Sequence, residues 1–78
     1  MFKFSEEELD NAINNFASLF EYDYAHSIWT VPEGKAVTIL FYNSPSRHSF
    51  DVEISYDEST YIETIVDAII EAYERRLP

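Results

Sequence analysis

Apolar residues near the start of the chain recur every three or four positions, as they do along one side of an α-helix. Spaced i, i+4, i+7, i+8 and i+11, they are Leu9, Ile13, Phe16, Ala17 and Phe20. Ser5 followed three residues later by Glu8 has the form of a capping box. The pattern therefore predicts a helix over about residues 6–20. Its opposite side is polar but uncharged, with Asn11, Asn14, Asn15 and Ser18.

Alternation of apolar and polar residues in the middle of the chain predicts three strands, over residues 24–31, 35–42 and 48–56. Turn residues separate them at 31–34 and 43–46. The third strand alternates most cleanly, with its core side formed by Phe50, Val52, Ile54 and Tyr56. The phase of the first strand is ambiguous. We expect Trp29 to pack in the core, whereas the opposite phase would expose it as an anchor for a partner.

A second helical stripe ends the chain and consists of Ile62, Ile65, Val66, Ile69, Ile70 and Tyr73. Ser59 or Thr60 is the expected N-cap, and Thr60 with Glu63 forms a second capping box. Arg75 and Arg76 place cations at the C-terminal end, where the helix dipole favours them.

The predicted fold is α+β, a single domain over residues 1–78 with the order α-β-β-β-α. The three strands form an antiparallel meander, and both helices pack on one face of it. We expect the other face to be open or to meet a partner, because the side chains assigned to it are few and mixed: Leu40, Tyr42, Asp51 and Glu53.

The composition describes a folded, acidic protein. The 17% of aromatic residues is far from the aromatic-poor composition of disordered acidic tails. No apolar run approaches the roughly 18 residues of a membrane span, and no basic-then-apolar leader follows Met1. We therefore expect no membrane segment, no signal peptide and a cytoplasmic location.

The charge balance is one-sided, with 15 Asp and Glu against 5 Lys and Arg and a net charge of −10. This argues against direct nucleic-acid binding, which depends mostly on Lys and Arg neutralising phosphates. The natural partner of such a surface is a basic protein. The alternative is that the charge only keeps the protein soluble.

Acidic residues without any interleaved base line one side of the predicted second helix, at i, i+4, i+8 and i+11. They are Glu63, Asp67, Glu71 and Glu74. Neighbours lie about 6 Å apart along the helix, and like charges at this spacing destabilise it by a few tenths of a kcal/mol per pair. The row resembles the anionic repeat of a nucleic-acid backbone and predicts a surface that imitates it. The alternative is an ordinary solvated helix face.

Further candidate partner-binding residues lie outside this row. Asp57 and Glu58 lie just before the second helix, and Tyr22 and Asp23 mix an aromatic ring with a carboxylate. Tyrosine is enriched at binding hot spots, and carboxylates form bidentate pairs with arginine. Tyr22 and Tyr24 have the alternative role of closing the core.

Other chemistry is weakly represented, so we expect no enzyme, no cofactor and no metal. His26 and His48 are the only histidines and cysteine is absent, which leaves no convincing nucleophile with its base. No loop has the Asp-rich, Gly-centred pattern of a calcium site. The element order is similar to that of double-stranded-RNA-binding domains, but Asp57-Glu58-Ser59-Thr60 stands where those domains carry a lysine cluster.

Small size, absence of cysteine, strong acidity and an α/β meander together resemble phage-encoded inhibitors that imitate nucleic acid, of the anti-CRISPR and anti-restriction type. A short stretch, Tyr56-Asp57-Glu58-Ser59-Thr60 with Ser27-Ile28 and Pro32-Glu33 upstream, resembles the phage uracil-DNA glycosylase inhibitors. That family has a carboxylate where this chain has His26, and it continues as sheet where a helix is predicted here. No site residue is carried over from it.

The resemblance and the acidic row lead to the same hypothesis. It is a non-enzymatic, monomeric inhibitor that occupies the basic DNA- or RNA-binding surface of a defence or repair nuclease in the host cytoplasm, with a CRISPR effector as the leading target. One alternative is a structural or interaction module that dimerises or docks through the open sheet face. Another is an immunity protein for a nuclease toxin.

Overall fold

The computed structural model describes residues 1–76 and has the predicted order of elements. Helix α1 spans Glu6–Leu19, and strands β1, β2 and β3 span Asp23–Val31, Gly34–Asn43 and His48–Tyr56. Helix α2 spans Ile62–Arg76. The bounds of β3 are those predicted; α1 and β1 differ from prediction by one residue at one end, and β2 is longer by one residue at each end.

The three strands form one antiparallel sheet in the order β1-β2-β3, with β2 in the centre. The register aligns Tyr24 of β1, Phe41 of β2 and Phe50 of β3 across the sheet. Side chains on alternate positions of a strand point to opposite faces. Tyr24, Phe41 and Phe50, and the residues at every second position from them along each strand, therefore point to the face that carries the core.

Both helices cover that single face, which confirms the predicted architecture. Val37, Ile39 and Phe41 of β2 are completely buried beneath them. Helix α2 packs mainly on β3, and α1 packs against β1 and α2. The helices contribute the buried residues Leu9, Ile13, Phe16 and Ala17 of α1 and Ile65, Ile69 and Ala72 of α2.

Helix α1 begins and ends with identifiable caps. The Ser5 hydroxyl accepts from the Glu8 amide at 3.0 Å, and the Glu8 carboxylate accepts from the Ser5 amide at 3.0 Å, which confirms the capping box. At the other end, the Tyr22 amide donates to the carbonyl of Ala17, and Glu21 takes a left-handed conformation with φ of 62°. Glycine usually occupies that position.

The beginning of α2 differs from the prediction. The helix starts at Ile62, and Thr60 does not cap it. The Thr60 hydroxyl instead accepts from the Asp57 amide and donates to the Asp57 carboxylate, at 3.1 and 3.2 Å. These bonds belong to a turn that joins β3 to α2, so the second predicted capping box is wrong.

Three apolar residues assigned to the core stripes lie outside the core: Trp29, Ile70 and Phe20, which is 37% exposed just after α1. Trp29 is 41% exposed on the open sheet face, because β1 has the opposite phase, with Tyr24 and Ile28 directed to the core. Ile70 is 38% exposed, because it lies where α2 borders α1 and not where α2 meets the sheet. The open face also carries Leu40 and Tyr42, as predicted.

The β1–β2 turn lies against the β3–α2 junction at Gly34, the only glycine of the chain. A Cβ atom placed there would overlap the carbonyl oxygen of Tyr56 and approach the Cα atom of Asp57 to 3.0 Å. Both atoms belong to backbone, which cannot move as a side-chain end can. We therefore expect Gly34→Ala to lower the free energy of unfolding by about 1–3 kcal/mol, measured by urea denaturation.

Ser27→Ala is the control for this prediction, because Ser27 is exposed on neighbouring β1. It should change the free energy of unfolding by less than about 0.5 kcal/mol. Equal stability of the two variants would show that the turn has room for a side chain.

Candidate functional site

Four carboxylates of α2 form a continuous surface, which we term the acidic row: Glu63, Asp67, Glu71 and Glu74. All four side chains are exposed. Helical geometry places them within an arc of about 80° and over a length of about 16 Å. That arc lies on the side of α2 opposite the buried Ile65, Ile69 and Ala72. The predicted alignment is therefore present, and the row faces solvent.

No base of the described chain forms an ion pair with the acidic row. Among residues 1–76 the ion pairs are Lys35–Glu6 at 2.7 Å, the terminal amine of Met1 with Glu58 at 2.8 Å, and His26–Asp10 at 3.7 Å. Arg75 and Arg76 follow the row in the last turn of α2 without pairing to it. Its negative potential is thus directed outward.

Asp57 and Glu58, in contrast, have partners within the molecule. One Asp57 oxygen accepts from the amide and hydroxyl of Ser59 at 2.9 and 2.7 Å and from the Thr60 hydroxyl. These bonds, led by that of the Ser59 hydroxyl, hold the Asp57 pKa below its usual value of 3.8. Glu58 accepts from the terminal amine. Asp57 therefore stabilises the turn before α2 through these hydrogen bonds.

Tyr22 closes one end of the core. Its ring lies among Phe41, Phe50 and Tyr73, with centroids 6.1, 5.3 and 6.2 Å away. Its hydroxyl forms a 2.6 Å hydrogen bond with Nδ1 of His48. Burial is the main cause that raises the Tyr22 pKa. The core-closing alternative thus describes Tyr22 better than a surface anchor, while Asp23 beside it is exposed.

Asp10, Tyr24 and His26 form a small polar cluster between α1 and β1. The Tyr24 hydroxyl donates to Asp10 at 3.0 Å, and Nδ1 of His26 lies 3.7 Å from the same oxygen. Partial burial, followed by the bond to Asp10, raises the Tyr24 pKa. The cluster connects the helix to the sheet edge. Within residues 1–76 no three side chains of metal-ligand type are grouped to hold an ion.

A groove between the two helices was not predicted. It encloses about 310 Å³ and is lined by apolar side chains, among them Leu19 and Phe20 of the α1 end and Val66 and Ile70 of α2. Leu19 is 76% exposed, and Phe20 and Ile70 are 37% and 38% exposed. The available sequence signal was Leu19, an apolar residue outside the core stripe of α1. We term this feature the interhelical groove.

Comparisons of the chain with protein-family models, with curated proteins and with solved structures returned no match. In the part of the chain that the structure describes, no helix has the length and apolar character needed to cross a membrane.

The hydrogen bonds of Asp57 make a prediction about pH. Because the folded pKa is lowered, the carboxylate stabilises the fold above its usual value of 3.8, and this contribution is lost as the pH falls through the folded value. Asp57→Ala should therefore lower the melting temperature by a few degrees at neutral pH. The difference from the unmodified protein should shrink steadily below pH 3.8.

Asp51→Ala removes the same charge from an exposed position of β3 and is the matched control. It should leave the melting temperature near that of the unmodified protein at neutral pH. An Asp57→Ala deficit that is constant from neutral to acid pH would contradict the assigned role of the carboxylate.

Proposed function

We propose that this protein is a non-enzymatic inhibitor that places its acidic row in the basic nucleic-acid-binding surface of a defence or repair nuclease. A CRISPR effector in a phage-infected host cytoplasm is the leading target. The observation that carries the proposal is the acidic row itself: exposed, unpaired carboxylates aligned along the solvent side of one helix.

The composition of the row supports a role in binding. Packing against the sheet determines that polar residues occupy this side of α2, but lysine or glutamine would satisfy that requirement equally well. Like charges at i, i+4 disfavour the helix, and a net charge of −10 disfavours the compact state. A basic partner would relieve both costs, because its arginines and lysines would neutralise the row.

The mechanism is competitive occupation of the site that nucleic acid would use. Long-range attraction between opposite potentials speeds the encounter, most strongly at low salt. Bidentate pairs between carboxylates and arginines then fix the orientation. The row extends about 16 Å along α2, so one protein could neutralise several phosphate-binding residues at once.

Charge reversal of the row tests this proposal. The protein is first used to capture an effector nuclease from a host lysate at low salt, and inhibition of DNA cleavage by that nuclease is measured. The double variant Asp67→Lys with Glu71→Lys should raise the inhibition constant tenfold or more. The unmodified inhibitor should weaken steeply with added salt, and excess DNA should displace it.

The matched control is Asp51→Lys with Glu53→Lys on the open face of β3, which changes the net charge by the same amount. It should retain inhibition within a few-fold. Asp67→Lys gains a favourable i, i+4 pair with Glu63, but the two substitutions together place like charges at i, i+4, so circular dichroism must show that the helix content is retained. Equal inhibition by both double variants would refute the assignment of this face.

The open sheet face supports a second candidate, an interaction module that dimerises. Trp29, Leu40 and Tyr42 are 41%, 44% and 39% exposed on this face. Two copies would, however, each bring Asp51, Glu53 and a net charge of −10 to the contact. We therefore expect a monomer in sedimentation equilibrium at micromolar concentration, at both low and high salt. A salt-insensitive dimer that Leu40→Ser dissociates would establish the second candidate instead.

A further inference from the structure

The acidic row and the interhelical groove are contiguous. Ile70, which lines the groove, follows Asp67 by three residues and precedes Glu74 by four, so it lies beside both on the helix surface. Val66, also in the groove, has the same i+3 relation to Glu63. The α2 wall of the groove, formed by Val66 and Ile70, is thus edged with carboxylates.

The opposite wall has a different character. It is formed by α1, where Ala12, Asn15 and Leu19 line the groove. The exposed residues beyond it, Asn11, Asn14 and Ser18, are polar without charge, and the acidic Glu7 and Glu8 precede them in the first turn of α1. The surface therefore has three bands: anionic along α2, apolar in the groove, and neutral polar along α1 over residues 11–18.

We infer that these bands together bind a basic amphipathic helix of the partner, with its apolar side chains in the interhelical groove and its lysines and arginines over the acidic row. This inference rests on the proposed function and names the element that the partner presents. It assigns the energy of binding to apolar contact as well as to charge.

The dimensions of the groove suit a helix. Ala12 and Leu19 are seven residues apart, which gives the apolar band of α1 a length of about 10 Å, or two helical turns. Two turns of an incoming helix present apolar residues at i, i+3 or i+4, and i+7, the spacing used in helix-in-groove recognition. Two neighbouring helices also offer a third helix a groove in which to pack, at the usual interaxial distance of about 8–10 Å.

Charge decides between a basic helix and a second copy of this chain. Within residues 1–76, each exposed helix face carries carboxylates or uncharged polar groups, and bases follow the row only at Arg75 and Arg76. A second copy would therefore oppose like charges over most of this surface. A cationic helix with its bases on one flank complements the anionic band without placing unpaired charge against the neutral one.

A synthetic peptide provides the probe. One helical peptide of leucine, alanine and lysine carries leucines at i, i+4 and i+7 and lysines on one flank. A second has the same composition in an order without that period. Binding to the full chain is measured by fluorescence anisotropy at moderate salt. The amphipathic peptide should bind at least tenfold more tightly, and shifted amide resonances of the labelled protein should include Leu19, Val66 and Ile70.

Substitutions in the groove separate this inference from the proposed function. Leu19→Gln and Ile70→Gln alter exposed side chains, so the fold should persist. Each substitution should raise the dissociation constant of the amphipathic peptide about fivefold or more and leave the salt dependence of binding unchanged. Leu40→Gln, at a leucine that is 44% exposed on the open face, is the control and should have no effect.

The outcomes distinguish the two claims. Two results would overturn the inference and leave the proposed function standing. One is equal affinity of the protein for both peptides. The other is undiminished peptide binding by the groove variants when Asp67→Lys with Glu71→Lys abolishes it. If the groove variants lose peptide binding and the charge-reversed variant does not, the groove is an apolar docking site and the proposed function is refuted. Peptide binding that neither set of substitutions weakens would exclude this entire face of the molecule as the binding site.

Discussion

The structure depends on one buried surface, the side of β2 on which Val37, Ile39 and Phe41 meet both helices. These side chains have no exposed area, and complete burial of each contributes roughly 1.5–3 kcal/mol. The outer strands each pair only with β2, and both helices pack over its core face. With no cysteine in the chain, packing at this surface must hold the fold together against the repulsion of its own charges.

This one-sided core determines where charge can lie. No charged side chain is buried among residues 1–76, so the carboxylates are distributed over the outside of both helices and the open sheet face. The direction of the acidic row follows from the packing of Ile65 and Ile69 beneath it. The composition of the row does not follow from packing, because any polar residue could occupy those positions. Support for the proposed function therefore comes from the absence of lysine from the row and not from the row's orientation.

The sequence predicted what depends on local periodicity and missed what depends on contacts between elements. The capping box of Ser5, the bounds of β3 and the alignment of the acidic row required only spacing along the chain. Trp29 was placed in the core wrongly, because alternation in β1 fits either phase and pairing with β2 selects one. The interhelical groove exists only because α1 and α2 lie side by side, leaving Ile70 between them partly uncovered. Thr60 illustrates a further limit, since its hydroxyl could serve a cap or a turn, and the position of Asp57 decided in favour of the turn.

Several residues whose conformation, charge or exposure lowers the stability of the fold lie near the proposed binding surface. Glu21, directly after the groove residues Leu19 and Phe20, has a φ of 62°, a conformation that costs an L-residue about 1 kcal/mol and that glycine would adopt freely. Its carboxylate also lies at the negative end of α1, whose last turn contains no base. The exposed Leu19 and the self-repelling acidic row add to these costs along the same face. The other non-glycine residue with positive φ, among those described, is Arg47, which lies in the β2–β3 turn where such conformations are common. A left-handed residue just after a helix is a common way for a helix to end, so the position of Glu21 supports the proposed binding role only together with the exposed Leu19 and the unpaired carboxylates. Their coincidence at the end of the groove thus favours a binding role for the helical face over one limited to solubility.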